Sequence, residues 1–253
     1  MKRRREPIYT AAIVAGRALF GFWRITPSVA GAENMPRSGG AVVAMTHFGY
    51  LDFALVEWAT WLHNRRRIRF MAKQSVFDKP VVGAMMRGMQ HIPVNMTAGA
   101  DAYQAAVDAL RTGELIGVFP EAGVSASFSV RELKSGAARL AAEAAVPIIP
   151  AAIWGGHRLM TKNRRIRFGE RFGVPVSFAF GDAIQVPADS DVREVTSALR
   201  DELQELTDLC QRSYPVDGTG QWWQPRDLGG RAPTPEQAAE ADAERDRRRR
   251  AND

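Results

Sequence analysis

Cysteine is nearly absent: Cys210 is the only one in 253 residues. An intramolecular disulfide is therefore impossible, a cysteine-built metal cluster is excluded, and the count fits a reducing compartment. Histidine is sparse too. His47, His63, His91 and His157 show neither H-x3-H nor HExxH spacing, so there is no metal signature. Long apolar runs are also missing. The best, Ala11 to Trp23, carries Arg17 in its middle, against the ~20 apolar residues that a spanning helix needs. It follows a basic start, MKRRRE, as a signal peptide would, but Arg17 interrupts it and no small-residue cleavage site follows.

What is present is an ordinary globular composition. With 45% hydrophobic and 25% charged residues, the chain can bury one sizeable core or two small ones. The net charge of +6 is gathered into runs: Lys2 to Arg5; Arg65, Arg66, Arg67 and Arg69; Lys162, Arg164, Arg165 and Arg167; and Arg247 to Arg250. Such runs suit anionic lipid, nucleic acid or phosphorylated cofactors, and charge alone does not choose among them. The aromatic RNP-like, zinc-finger and helix-turn-helix signatures of nucleic-acid binders are missing, so no nucleic-acid partner is expected.

Along the chain, residues 1–26 read as an amphipathic helix lying in a membrane interface, with Ile8, Ala12, Ile13, Leu19, Phe20 and Trp23 as its apolar side. Pro27 to Gly40 reads as a loop. Strand-like and helix-like segments then alternate. Strands are expected at Ala41–Thr46, Ile68–Ala72, His91–Val94, Leu115–Phe119, Pro147–Trp154 and Val174–Phe180. Helices are expected at Leu51–Leu62, Val81–Arg87, Ala100–Arg111, Glu132–Ala145 and Val192–Arg212. The alternation predicts an α/β domain over residues 27–217, with a mixed, largely parallel central sheet covered by helices. Residues 218–253 read as a charged, mobile extension without its own core, in which Trp222 and Trp223 either anchor at an interface or fold back.

The first strand ends in Thr46-His47-Phe48-Gly49-Tyr50-Leu51-Asp52. An imidazole can take a proton from a hydroxyl while a carboxylate holds its other nitrogen. Five residues of ideal helix turn through about 500°, so the pair meets only if His47 sits in a loop and Asp52 opens a helix. Alone, H-x4-D is a weak signal, equally read as a surface histidine near a capping aspartate. Phe119-Pro120-Glu121 places a second carboxylate at a strand exit, suited either to a polar ligand or to capping backbone N–H groups. His91 reads as structural or pocket-lining, and His63 and His157 as surface residues. Trp58 and Trp61, three apart on one helix, read as core or interface.

These blocks, taken in order from Gly40 to Ile153, resemble the 1-acylglycerol-3-phosphate O-acyltransferases, the glycerolipid acyltransferase family. The matching segments are H-x4-D at His47 and Asp52, Ala72-Lys73, a G-x-I-P-V-like block from Gly88 to Met96, F-P-E-G-like Phe119 to Val124, Lys134-x-Gly136, and Val146 to Pro150. The resemblance implies acyl transfer from acyl-CoA or acyl carrier protein to a lysolipid hydroxyl at the cytoplasmic face of the cell membrane. His47 would be the general base, oriented by Asp52. Glu121, Gly123, Lys73, Arg87, Lys134, Pro93 and Asn95 would bind substrate, and neither a cofactor nor a metal would be needed. Two family arginines are replaced, by Met96 and Val124. A guanidinium fork suits phosphate as those side chains cannot. Arg87, Lys73, Arg131 and Lys134 are the candidate substitutes, unless the acceptor is not a simple glycerol phosphate.

Overall fold

The computed structural model describes residues 6–252 except 96–98 and 122. The basic start Lys2 to Arg5 and Met96 lie outside the described residues. The helix α1 (Pro7–Phe22) opens with proline at its first position, where a missing N–H costs nothing. There follow β1 (Thr26–Ala30), β2 (Ala41–Met45), α2 (Asp52–Asn64), β3 (Ile68–Lys73), α3 (Gln74–Phe77), α4 (Pro80–Gly88), β4 (Ile92–Val94), α5 (Ala100–Arg111) and β5 (Leu115–Val118). The chain continues through α6 (Gly136–Ala144), β6 (Ile148–Trp154), β7 (Pro175–Phe180), α7 (Val192–Arg212) and α8 (Pro235–Asn252). The strands form one sheet in the order β1-β7-β6-β2-β5-β3-β4. Among the described strands only the β6–β7 pairing is antiparallel; the other strand pairings are parallel. The sheet is thus mixed and largely parallel.

Both faces are covered, which explains why β2 is apolar at every position. Val42 and Ala44 point to a core shared with α5, α6 and α7. Ala41, Val43 and Met45 point to a second core, closed by Leu55, Val56 and Ala59 of α2 and by Phe20 of α1. The helix α7 is capped by Asp191, which accepts the Arg193 N–H at 2.7 Å, and it buries Leu199, Leu203, Leu206 and Cys210. The Cys210 thiol is sealed in apolar surroundings that push its pKa up to about 12.

Several sequence expectations are corrected. Residues 26–30, placed in helix end and loop, form β1, whose ladder with β7 runs from Thr26–Pro175 to Ala30–Ala179; its exposed side chains give no apolar alternation to read. The helix expected from Glu132 starts only at Gly136, because the Lys134 N–H is taken by the Pro120 carbonyl at 2.9 Å. The apolar residues of α1 divide between two faces. Tyr9, Ile13 and Phe20 are buried on the domain, while Ile8, Val14, Leu19 and Phe22 face outward, Phe22 being 59% exposed.

Residues 218–232 are part of the domain. Trp223 is 3% exposed and Ala232 fully buried, both in the core that contains α7. The composition of the whole extension hid these few buried positions. Trp222 lies under the Arg164 guanidinium, 3.9 Å from its ring centroid. His157, expected on the surface, is fully buried. Its Nε2 donates to the Trp223 carbonyl at 3.1 Å, and its ring stacks on Phe128 with centroids 4.4 Å apart.

Candidate active site

At the carboxyl end of β2 the chain is fastened before it turns. The Thr46 hydroxyl accepts the Ile153 N–H of β6 at 3.1 Å. His47 follows, with both backbone groups committed: its N–H donates to Glu121 Oε1 at 3.1 Å, and its carbonyl accepts the Ser125 N–H at 2.8 Å. The imidazole lies nearly flat on Phe119, with centroids 4.0 Å apart and planes 22° from parallel. Its Nδ1 faces Asp52 Oδ2 at 3.2 Å. The same Asp52 oxygen accepts the N–H groups of Phe48 (2.8 Å) and Gly49 (2.7 Å).

Asp52 is the first residue of α2, so the loop-then-helix arrangement required by the spacing is present. One carboxylate folds the loop and holds the ring. With Nδ1–H directed at Asp52, Nε2 is the nitrogen left to accept a proton. Burial pushes the Asp52 carboxyl upward in pKa, and the imidazole with the two loop N–H groups pulls it back.

Two glycines make this fold of the loop possible. A Cβ on Gly49 would lie 2.9 Å from the backbone of Gly156 and His157. A Cβ on Gly156 would lie 2.7 Å from Asp52 Oδ1. Gly156 is a site-supporting residue that the sequence reading missed; its signal was the Gly155-Gly156-His157 break directly after a fully buried strand.

Glu121 is buried against backbone. One oxygen holds the His47 N–H, and the other accepts the Arg131 N–H at 3.2 Å and lies 3.6 Å from Arg131 Nε. Burial raises its pKa to about 7, against the pull of those donors. The carbonyl of Gly123 also receives the Arg131 guanidinium. His47, Asp52, Glu121, Gly123 and Arg131 therefore form one connected unit.

The other candidates stand farther off. Lys73 and Pro93 lie on the paired strands β3 and β4, with Asn95 just beyond, all exposed at the sheet's carboxyl edge two or three strands from β2. Arg87 donates to the Phe77 carbonyl at 2.8 Å. Lys134 is exposed and precedes α6. Val124 is buried where the family has arginine.

An apolar cavity of about 230 Å³ lies between α1, α2 and α4, lined by Ala12, Ile13, Phe20, Phe53, Phe70 and Met85 among others. Phe70 is parallel to Phe119 at 6.3 Å, and Phe119 carries His47, so aromatic faces lead from the cavity to the site. Four ionisable side chains, Tyr9, Arg17, Glu57 and His91, also line it. Burial raises the Glu57 carboxyl to about 8 and lowers the His91 imidazole to about 4. His91 Nδ1 accepts the Phe70 N–H at 3.0 Å, a structural role.

A largely parallel α/β sheet with an imidazole–carboxylate pair at its carboxyl edge is an arrangement suited to general-base chemistry. The family profile described as Acyltransferase matches residues 26–154, from β1 to the end of β6, and so takes in every member of the connected unit. The chain belongs to the acyltransferase family, and its class of reaction is O-acyl transfer.

A 1-acyl-sn-glycerol-3-phosphate acyltransferase of Bacillus subtilis is 29% identical over 179 residues, covering 69% of this chain and 84% of that protein. An uncharacterized protein of Mycobacterium tuberculosis is 31% identical over 184 residues, or 67% of this chain, which spans about half (49%) of that relative's length. The crystal structure of the 1-acyl-sn-glycerophosphate acyltransferase from Thermotoga maritima shares the fold, with a TM-score of 0.69 at 20% identity over 85% of this chain and 86% of that one.

Proposed function

We propose that the protein acylates the free hydroxyl of a lysophospholipid such as 1-acylglycerol-3-phosphate, taking the acyl group from acyl-CoA or acyl carrier protein. The observation that carries this reading is the His47–Asp52 pair, 3.2 Å apart in a loop whose N–H groups the same carboxylate accepts, with Nε2 left to act. His47 removes the acceptor's hydroxyl proton as the oxygen attacks the thioester carbonyl. The carbon–sulfur bond then breaks, and the imidazolium returns its proton to the leaving thiolate. Asp52 keeps the imidazole in the right tautomer and stabilises its charged form. No acyl-enzyme is required. Glu121 and Arg131 set the position of the His47 backbone, and the largely apolar cavity suits an acyl chain.

The test is release of free thiol on mixing the protein with acyl-CoA and lysophosphatidic acid, compared with glycerol 3-phosphate, other lysolipids and glycolipid alcohols. Acceptor-dependent release with lysophosphatidic acid is expected. Lipid binding without turnover across the whole panel would instead mark a non-catalytic relative.

The same reading places the protein peripherally on the cytoplasmic face of an anionic membrane. No helix among the described residues is long and apolar enough to cross one. The outward side chains of α1 continue into Phe168 and Phe172, whose rings lie 6.3 and 5.3 Å from Phe22. Beside them Arg164, Arg165, Arg167 and Arg171 line an open groove. Apolar side chains rimmed by guanidinium groups suit an anionic lipid surface. Replacing Val14 and Phe22 together by serine is expected to lower partitioning onto phosphatidylglycerol vesicles at least about tenfold. Unchanged sedimentation with vesicles would reject this surface.

A further inference from the structure

The last helix reaches the neighbourhood of the site through one carboxylate. Asp242, on α8, has its Oδ1 2.6 Å from Lys162 Nζ and 2.5 Å from Arg245 of its own helix. Its Oδ2 is 3.6 Å from Arg131 Nη1. Arg131 in turn lies along Glu121, and Glu121 holds the His47 N–H. Two side chains therefore separate the Asp242 carboxylate from the histidine backbone.

Three features make this cluster more than a surface ion pair. The two domain cations are partly withdrawn from water: the Lys162 side chain is 14% exposed and that of Arg131 32%. Asp242 is the only carboxylate paired with Lys162 among the described residues. Finally, α8 is lightly held. Its sequence is mostly Ala, Glu, Asp and Arg, and Ala238 is its one buried apolar side chain among those described. A helix with so little apolar anchorage depends on its charged contacts to stay docked.

The arginine and lysine that hold this carboxylate are donors that a phosphate can also use. Phosphate offers three acceptor oxygens and more negative charge to the same donors. We propose that Arg131 and Lys162 form the subsite for the phosphate of the acceptor, and that Asp242 fills it in the free protein as a built-in competitor, so that α8 is a strap displaced by the acceptor. This rests on the reading of the acceptor as a phosphate-bearing lysolipid. It also accounts for the buried Val124: the cationic work done elsewhere in the family by an arginine at that position is moved to Arg131 and to Lys162, in the loop after β6.

The test uses the full chain. Asp242→Asn keeps the side-chain shape and removes the competing charge. It is expected to lower KM for lysophosphatidic acid about three- to tenfold, with kcat within twofold and KM for uncharged monoacylglycerol unchanged. Lys162→Ala is expected to raise KM for lysophosphatidic acid by a similar factor and again to spare the uncharged acceptor. An Asp242→Asn protein with unchanged KM for lysophosphatidic acid, or with KM lowered equally for both acceptors, overturns the proposal.

A second measurement needs no turnover. Without acyl donor, sn-glycerol 3-phosphate should speed tryptic cleavage after Arg245 by freeing α8, and glycerol should not. If no lysolipid is acylated, the proposed function fails, and this arm still decides the subsite: phosphate-accelerated cleavage supports it, and cleavage indifferent to phosphate rejects it.

Discussion

Replacing His47 by alanine is expected to lower kcat/KM for acyl transfer at least ~100-fold, and up to ~10⁴-fold, in a protein that still folds. The size follows from the lack of a stand-in. Asp52 is buried behind the ring, and both Glu121 oxygens are turned to backbone donors and Arg131. Among the described residues these two carboxylates, His47's nearest ionisable partners, are thus not placed where Nε2 was. The fold should survive because the bonds that fasten residue 47, to Glu121 and from Ser125, are made by its backbone and not by its ring. Thioester consumption with lysophosphatidic acid measures the loss, and an unchanged far-ultraviolet dichroism spectrum certifies the fold. A variant with near wild-type turnover would remove His47 from the mechanism.

Trp223→Ala carries the largest expected loss of stability, about 3–5 kcal/mol. That is a large part of what holds a domain of this size together. The indole is buried against residues of the domain that precede it. Tyr214 meets it edge-on at 5.7 Å, the Arg158 guanidinium lies 4.5 Å from its centroid, and its carbonyl receives the His157 imidazole. His157 directly follows Gly156, against which Asp52 packs, so the loss should also reach activity. Urea denaturation with a lower midpoint and an unchanged slope is the expected signature. A change below ~1 kcal/mol would show that residues 218–232 do not belong to the core.

The sheet, and with it the edge that carries the candidate site, was legible because burial on both faces writes itself into sequence as short apolar runs. The strands β2, β5 and β6 are such runs, and α5 and α7 are bounded as their apolar periodicity predicts. His47 and Asp52 could be paired from their spacing only under a condition, that a loop meets a helix between them, and the loop folds so because Asp52 itself accepts its N–H groups. What stayed hidden depends on distant partners. β1 carries no pattern because its side chains are exposed, and it exists through its ladder with β7, some 150 residues away. Gly156 matters only through its packing on Asp52. Arg131 appeared as one of four spare cations, and nothing local to it tells that it lies along Glu121 while Arg87 is committed to the Phe77 carbonyl. The burial of His157 and Trp223 is mutual, so neither could be read from its own neighbourhood.

The chain's one thiol faces inward from α7 into the same core as Trp223, where burial raises its pKa. With acyl-CoA supplied as donor, a disulfide reagent added to the folded protein should therefore report the thiol released from the donor and little from the enzyme. In the Trp223→Ala protein the same silence should break: alkylation of Cys210 then proceeds at the rate at which the core opens, which turns a residue with no part in the chemistry into a clock for local unfolding.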